Sequence, residues 1–330
     1  MTPREPQESK KISRRSFLHK GSTAVAAAAA AAAALSPLRH IKPGDLPSRE
    51  EFFQKHYKEM TDADKKDALD RIAAKVAERH NIEPTIHDYP PLDGVEYVYG
   101  LNVSRCIECR RCVYACAKEN NTSQSPEIQY IRVLQMEKGG IDLETSNHHY
   151  DPPTVPDRDK FYMPVQCHQC ANPPCVKVCP TEATWQEADG IVVVDYDWCI
   201  GCRYCEAACP YWARRFNFDD PGIPSNEINT DMAYLSNRPR EKGVVEKCTF
   251  CLQRTRQGKF PACLEVCPTG SRKFGNVLDP ESEVAYILAK KRIFVLKQDV
   301  GTLPRFFYYF DERGSRYHEE ISAESPGGEA

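Results

Sequence analysis

A chain of 330 residues has room for more than one domain, and its 16 cysteines are far above ordinary usage, so the cysteines have to be explained first. With 44 basic against 47 acidic residues, the net charge of −3 argues against a general nucleic-acid binder. All 16 cysteines fall into four groups of four, and none is left over.

In chain order, Ser13-Arg14-Arg15-Ser16-Phe17-Leu18-His19-Lys20 precedes an apolar run from Ala24 to Leu35. That is the pattern of a twin-arginine export signal, the alternative being a basic patch beside a low-complexity alanine run. The apolar part is shorter than the roughly 20 residues a spanning helix needs, and Pro37 follows it closely. Residues 1–36 are therefore expected to be removed, the mature chain starting between Ala31 and Leu38. Resemblance to such signals implies export of a folded chain to the periplasm, which suits a protein that acquires metal in the cytoplasm.

Residues 37–95 are expected to form a helical segment and a linker. From Ser48 to His80 the composition is charged and helix-forming, with Thr61 and Asp64 placed as a capping box. Leu69, Ile72, Ala73 and Val76 fall on one face, to be covered by the core or by another subunit. Pro84, Pro90, Pro91 and Gly94 mark the linker.

The first cysteine run is Cys106, Cys109, Cys112, Cys116. It is followed by a predicted strand, Tyr130–Met136, and a loop with Gly139-Gly140, His148-His149 and Pro152-Pro153. The paired histidines read as solvated loop residues or as metal ligands. The second run is Cys167, Cys170, Cys175, Cys179-Pro180, its longer gap stiffened by Asn172-Pro173-Pro174. His168 inside it reads as packing or a redox-tuning group. Between the second and third runs, Asp189-Gly190 supplies a turn and Ile191–Val194 a strand, a β-hairpin by pattern. The third run is Cys199, Cys202, Cys205, Cys209-Pro210, and a polar insert extends to Arg240. The fourth is Cys248, Cys251, Cys263, Cys267-Pro268, whose eleven-residue gap holds Arg254, Arg256 and Lys259, facing either a cluster, an acidic partner or solvent. A helix from Asp279–Glu283 to about Lys291, a strand at Ile293–Lys297 and the aromatic tail Phe306–Phe310 complete the pattern. No segment is long and apolar enough to span a bilayer.

Disulfides and zinc knuckles are the alternatives for such a cysteine count. A third cysteine two residues after a Cys-x-x-Cys pair, with Cys-Pro three residues on, is instead the spacing of a bacterial ferredoxin, in which three close thiolates grip one [4Fe–4S] cube and the fourth reaches a neighbouring cube. The hairpin between the second and third runs completes a small ferredoxin-like unit whose core is expected to be the clusters themselves. These two runs, joined by a ferredoxin-length connection, would share Cys167, Cys170, Cys175, Cys209 and Cys199, Cys202, Cys205, Cys179 as two ligand sets. By elimination the first and fourth runs supply Cys106, Cys109, Cys112, Cys267 and Cys248, Cys251, Cys263, Cys116.

Over about Val103 to Tyr309 the sequence resembles the four-cluster iron–sulfur subunits of the dimethyl sulfoxide reductase superfamily. The resemblance rests on Cys106 to Asn120, Pro173-Pro174-Cys175, Cys209-Pro210-Tyr211, and Pro261 to Gly270 followed by Phe274-Gly275. It implies an α+β fold of two nested ferredoxin-like modules: an outer one from 96–126 plus 240–275 and an inner one from 161–218. Inserts at 127–160 and 219–239 and a C-terminal extension at 276–330 complete the map. It also implies a non-catalytic electron-transfer subunit with four [4Fe–4S] clusters, working between a molybdopterin catalytic subunit and a quinone- or haem-bearing integral membrane subunit. The chain would be periplasmic and attached to the membrane only through that partner. Competing expectations are the equivalent subunit of a nickel–iron hydrogenase or of a sulfite-reduction-linked transmembrane complex, and an iron–sulfur protein that itself binds a substrate.

Overall fold

The computed structural model describes residues 55–146, 148, 156, 157 and 159–311. The export signal, the stretch 48–54, His149 and Pro152-Pro153 lie outside them. The chain divides into two compact units, 1–56 and 57–330, and the elements named here all belong to the second.

Helix α1 spans Asp62–His80. The expected capping box sets its start: the Asp64 amide donates to the Thr61 hydroxyl at 3.2 Å, and the Thr61 amide donates to the Asp64 carboxylate at 2.9 Å. Asn81, in the left-handed region at φ 53°, ends it. Ahead of it, Tyr57–Glu59 makes one 3-10 turn whose buried Tyr57 stacks between Trp185 and Tyr234. Ala68, Ile72 and Val76 are buried in the main core, so the chain's own body covers the apolar stripe. The supposed linker is partly ordered: β1 (Thr85–His87) pairs in parallel with β8 (Asp231–Ala233).

The centre of the fold is a four-stranded sheet in the order β10-β2-β12-β11, built from β2 (Tyr97–Asn102), β10 (Arg272–Asn276), β11 (Ile293–Phe294) and β12 (Phe306–Tyr309). The aromatic tail is thus an interior strand, parallel to β2. Strand alternation sorts its side chains. Phe306 and Tyr308 join Tyr99 and Leu101 in the main core, while Phe307 and Tyr309 pack with Val98 against Val284 and Ile287 of helix α7 (Glu283–Lys290). Tyr99 and Phe306 are register partners whose rings stack at 4.9 Å. This sheet, outside the 161–218 unit, supplies a large hydrophobic core of its own.

The remaining strands form two-stranded ribbons. β3 (Arg132–Glu137) pairs antiparallel with β4 (Lys160–Val165). β5 (Thr184–Gln186) pairs with β6 (Val192–Val194) as the expected hairpin, with Gly190 at φ +84° in its turn. β7 (Arg215–Phe216) pairs with β9 (Val245–Glu246). The polar insert behaves opposite to its composition, since every residue from Met232 to Arg240 is buried. Its amide side chains replace missing backbone partners. Asn237 donates to the carbonyls of Asp231 (2.8 Å) and Glu119 (3.2 Å) and accepts from the Ala233 amide (2.8 Å), which is what makes burying it tolerable.

Candidate metal centres

The four runs repeat one local design. In each, the third cysteine is the second residue of a helix: Cys112 in α2 (Arg111–Glu119), Cys175 in α3 (Pro174–Lys177), Cys205 in α4 (Tyr204–Ala207) and Cys263 in α6 (Ala262–Glu265). The fourth cysteine lies within α2 (Cys116) or two residues beyond the helix end (Cys179, Cys209, Cys267). The loops ahead of the helices hold residues in the left-handed region in three runs, Glu108 and Arg110, Gln169, Gly201 and Arg203, while in the fourth Phe250 and Cys251 precede a separate helix, α5 (Leu252–Thr255). Alternating left- and right-handed residues turns successive amide N–H groups to one side and makes the concavities that iron–sulfur clusters occupy. Gly201 has a second constraint, because a Cβ there would stand 2.0 Å from the Gly243 carbonyl oxygen.

All 16 cysteines are free of disulfides. Cys106, Cys109, Cys112 and Cys267 line one open pocket together with Arg272. Cys116 is coupled electrostatically to Cys248, Cys251 and Cys263, and Cys170 to Cys167, Cys175 and Cys209. Cys205 feels Cys199 and Cys179, with exposed Cys202 on the loop between Cys199 and Cys205. The groups also act on one another electrostatically in sequence: Cys112 on Cys263, Cys167 on Cys248, and Cys175 on Cys205. Among the described residues no three His, Cys, Asp or Glu side chains close on a point as ligands to a single ion would.

Burial pushes the thiols of Cys106, Cys170 and Cys248 up to about 12 and that of Cys205 up to about 11. Left without metal these groups hold their protons, and metal binding must release them. Cys267 goes the other way. Burial raises it, but the Thr269 hydroxyl at 3.6 Å and the amides of Ser271, Thr269 and Arg272 outweigh that and bring it below the ordinary thiol value. Amides of Phe250, Val245 and Ala213 point at Cys248, Cys199 and Cys209 at 3.4, 3.5 and 3.5 Å, and such bonds to sulfur tune a cluster's potential.

Two buried arginines lie among the cysteines, Arg214 bonded to a sulfur and Arg272 lining the pocket of the first run, and have N–H groups with no hydrogen-bond partner: Nε and Nη1 of Arg214 and Nη2 of Arg272. Arg214 Nη2 donates to Cys175 Sγ at 3.0 Å, and Arg272 donates to the Tyr99 hydroxyl (3.3 Å), itself 3.3 Å from Cys263 Sγ. An orphaned cationic donor beside thiolates costs free energy unless an anionic group completes its shell, so the residues present fit [4Fe–4S] clusters with their anionic sulfides.

The sequence pattern overlooked Arg214, Arg272 and Lys247. A signal was available, because Arg214 and Arg272 each stand five residues after the Cys of a Cys-Pro pair, Cys209 and Cys267. The basic residues it did select do something else. Arg254 pairs with Glu119 (3.2 Å) and Glu265, and Arg256 is buried between Asp189 (2.8 Å) and Glu187. His168 is packing: its ring lies 3.9 Å from that of Tyr211 and stacks on Phe306 at 5.2 Å, and burial lowers its pKa to about 3, so it is neutral. His148 lies in the loop after β3.

Fold and sulfur placement together define a ferredoxin-like iron–sulfur protein. The family described as "4Fe-4S dicluster domain" matches residues 158–222 and 226–277. A selenate reductase subunit of Mesobacillus selenatarsenatis is 34% identical over 92% of this chain and 98% of its own length. A Halobacterium salinarum protein named for a dimethyl sulfoxide reductase iron–sulfur subunit is 42% identical over 64% of this chain and 78% of its own. A tetrathionate reductase subunit of Salmonella typhimurium is 36% identical over 70% and 75%. The chain belongs to the iron–sulfur electron-transfer subunits of the dimethyl sulfoxide reductase family and carries [4Fe–4S] clusters.

Proposed function

We propose that this chain is an exported relay holding four [4Fe–4S] clusters, which passes single electrons between a molybdopterin catalytic subunit and a quinone- or haem-bearing membrane subunit. The ligand sets are Cys106, Cys109, Cys112, Cys267; Cys248, Cys251, Cys263, Cys116; Cys167, Cys170, Cys175, Cys209; and Cys199, Cys202, Cys205, Cys179. They give an outer module from 96–126 and 240–275 around an inner one at 161–218. When bound, each cluster takes up and gives back one electron with little ligand movement. The protein's part is to hold the thiolates, exclude water and tune them with amides.

The observation that supports this reading is electrostatic: Cys112 acts on Cys263, Cys167 on Cys248 and Cys175 on Cys205, an order that a single file of the four sets would give. At its two ends one cysteine is exposed, Cys109 and Cys202, as electron entry and exit require. Partners are argued from the relatives, which are named as subunits of selenate and tetrathionate reductases. Among the described residues no helix is long and apolar enough to cross a membrane, which fits attachment through a partner.

The test is anaerobic purification of a tagged chain from its host. About 16 irons per chain and a co-purifying molybdopterin protein are expected. An iron-free preparation, or a chain that alone turns over an oxyanion with a reductant, would overturn the proposal. Arg14→Lys with Arg15→Lys is expected to leave the protein in the cytoplasm; undiminished periplasmic delivery removes the export claim.

A further inference from the structure

Three buried cations each act electrostatically on cysteines of two neighbouring sets. Arg272 acts electrostatically on Cys106 and Cys112 of one set and on Cys116 and Cys263 of the next. Lys247 feels Cys248 on one side and Cys167 and Cys175 on the other. Arg214, bonded to Cys175 at 3.0 Å, feels Cys167 and Cys175 on one side and acts on Cys199 and Cys205 on the other. None is placed to bridge to solvent, since all three are buried. Nor is any of them paired with a carboxylate among the described ion pairs. Arg272 is held by Gln166 Oε1 at 2.8 Å and the Tyr99 hydroxyl, Arg214 by the Thr184 hydroxyl at 2.9 Å, and Lys247 by the Cys248 carbonyl at 2.8 Å and the Val192 carbonyl. Neutral oxygens fix each cation in place while leaving its charge uncancelled. A buried charge without a counter-ion is strongly unfavourable, so these three are tolerable only next to anions, and sulfur is the anion at hand.

We propose that Arg272, Lys247 and Arg214 are junction charges, each shared by two adjacent clusters and each raising the reduction potentials of both. This rests on the four-cluster file proposed above. Reduction adds a negative charge to a cluster, and a nearby cation in a low-dielectric surrounding stabilises the reduced form. Because one cation serves two clusters, it moves both potentials in the same direction and leaves their difference, which decides whether an electron is trapped, little changed. The matching offset of Arg214 and Arg272 from Cys209-Pro210 and Cys267-Pro268 places one such charge in each half of the file.

The experiment is an EPR-monitored reductive titration of the anaerobically purified full chain and of Arg214→Gln, Arg272→Gln and Lys247→Met, with iron counted first. Each variant is expected to lower two of four midpoints by at least about tenfold in the reduction equilibrium, which is about 59 mV for one electron. Arg214→Gln and Arg272→Gln must move different pairs, and Lys247→Met one midpoint from each pair. Arg214→Lys, which keeps the charge, is expected to restore most of the Arg214→Gln shift. A parent chain well short of 16 irons sinks the four-cluster file itself. Full iron with unmoved midpoints, or four midpoints moving together, overturns the junction charges alone. Iron loss in all three variants overturns them too, because it makes these cations folding groups.

Discussion

The proposed sets Cys116, Cys248, Cys251, Cys263 and Cys179, Cys199, Cys202, Cys205 have the same residue chemistry and opposite surroundings. All four cysteines of the first are buried, whereas the second has Cys202 exposed and Ile200 beside it 65% exposed. Phe218, 64% exposed, stands nearby, edge-on to Phe216 with Arg203 over its ring. Identical ligands are thus placed once inside an insulator and once at a rim. The difference shows that the backbone design around each third cysteine is local, while solvent access is decided by what packs over the loop: the four-stranded sheet in one case, only the short stretch around Gly243 to Val245 in the other, which leaves Cys202 exposed.

The comparison is broken most forcefully at the ligands. Cys251→Ser is expected to cost the buried set its cluster, with iron falling by about four per chain, because the neighbouring dry thiols then have no metal to ionise them. Cys202→Ser is expected to cost less, leaving a three-iron form with an altered EPR spectrum. Equal iron loss in the two would remove the distinction, and an unchanged Cys202→Ser spectrum would count against that ligand. Next comes Arg256, just past helix α5 (Leu252–Thr255) on the buried side. Arg256→Ala strands Glu187 and Asp189 as buried charges and is expected to destabilise by about 3–5 kcal/mol in anaerobic denaturant unfolding.

On the rim side, Asp195 precedes the third run. Burial, then the charge of Asp197, raises its pKa from 3.8 to about 6. A carboxyl raised on folding favours the native state at low pH and loses that contribution as pH climbs through the folded value. Unfolding free energy should therefore fall by about 1 kcal/mol from about pH 5 to about pH 7, and Asp195→Asn should abolish that slope. An unaltered slope assigns the titration to other groups. The smallest effect is a reference remote from both sets. Thr61→Ala removes the cap of α1 and should cost about 1 kcal/mol with iron content and EPR unchanged.

What could be read without coordinates follows from the range of the forces involved. Thr61 with Asp64, Asp189-Gly190 and the cysteine spacings are local, and each marks its element within a few residues. The aromatic strand Phe306–Tyr309 is not local. Its place beside Tyr97–Asn102 depends on pairing across some two hundred residues, and its run of buried aromatics has no alternation to distinguish a tail from an interior strand. Composition misled at 232–240, where Asn237 and Ser236 look solvated and are instead buried by hydrogen bonding. Arg214 and Arg272 were hidden because basic residues ordinarily lie at the surface, although their equal offset from Cys-Pro was there to see.

The parallel pairing of Phe306–Tyr309 with Tyr97–Asn102 has a consequence for how the molecule is made. A nascent chain still on the ribosome exposes Tyr99 and Leu101 until Phe306–Tyr309 emerges some two hundred residues later, so closure of the sheet has to wait for that strand. A chain truncated ahead of Phe306 would leave Tyr99 and Leu101 without the strand that covers them and is expected to be a target for degradation.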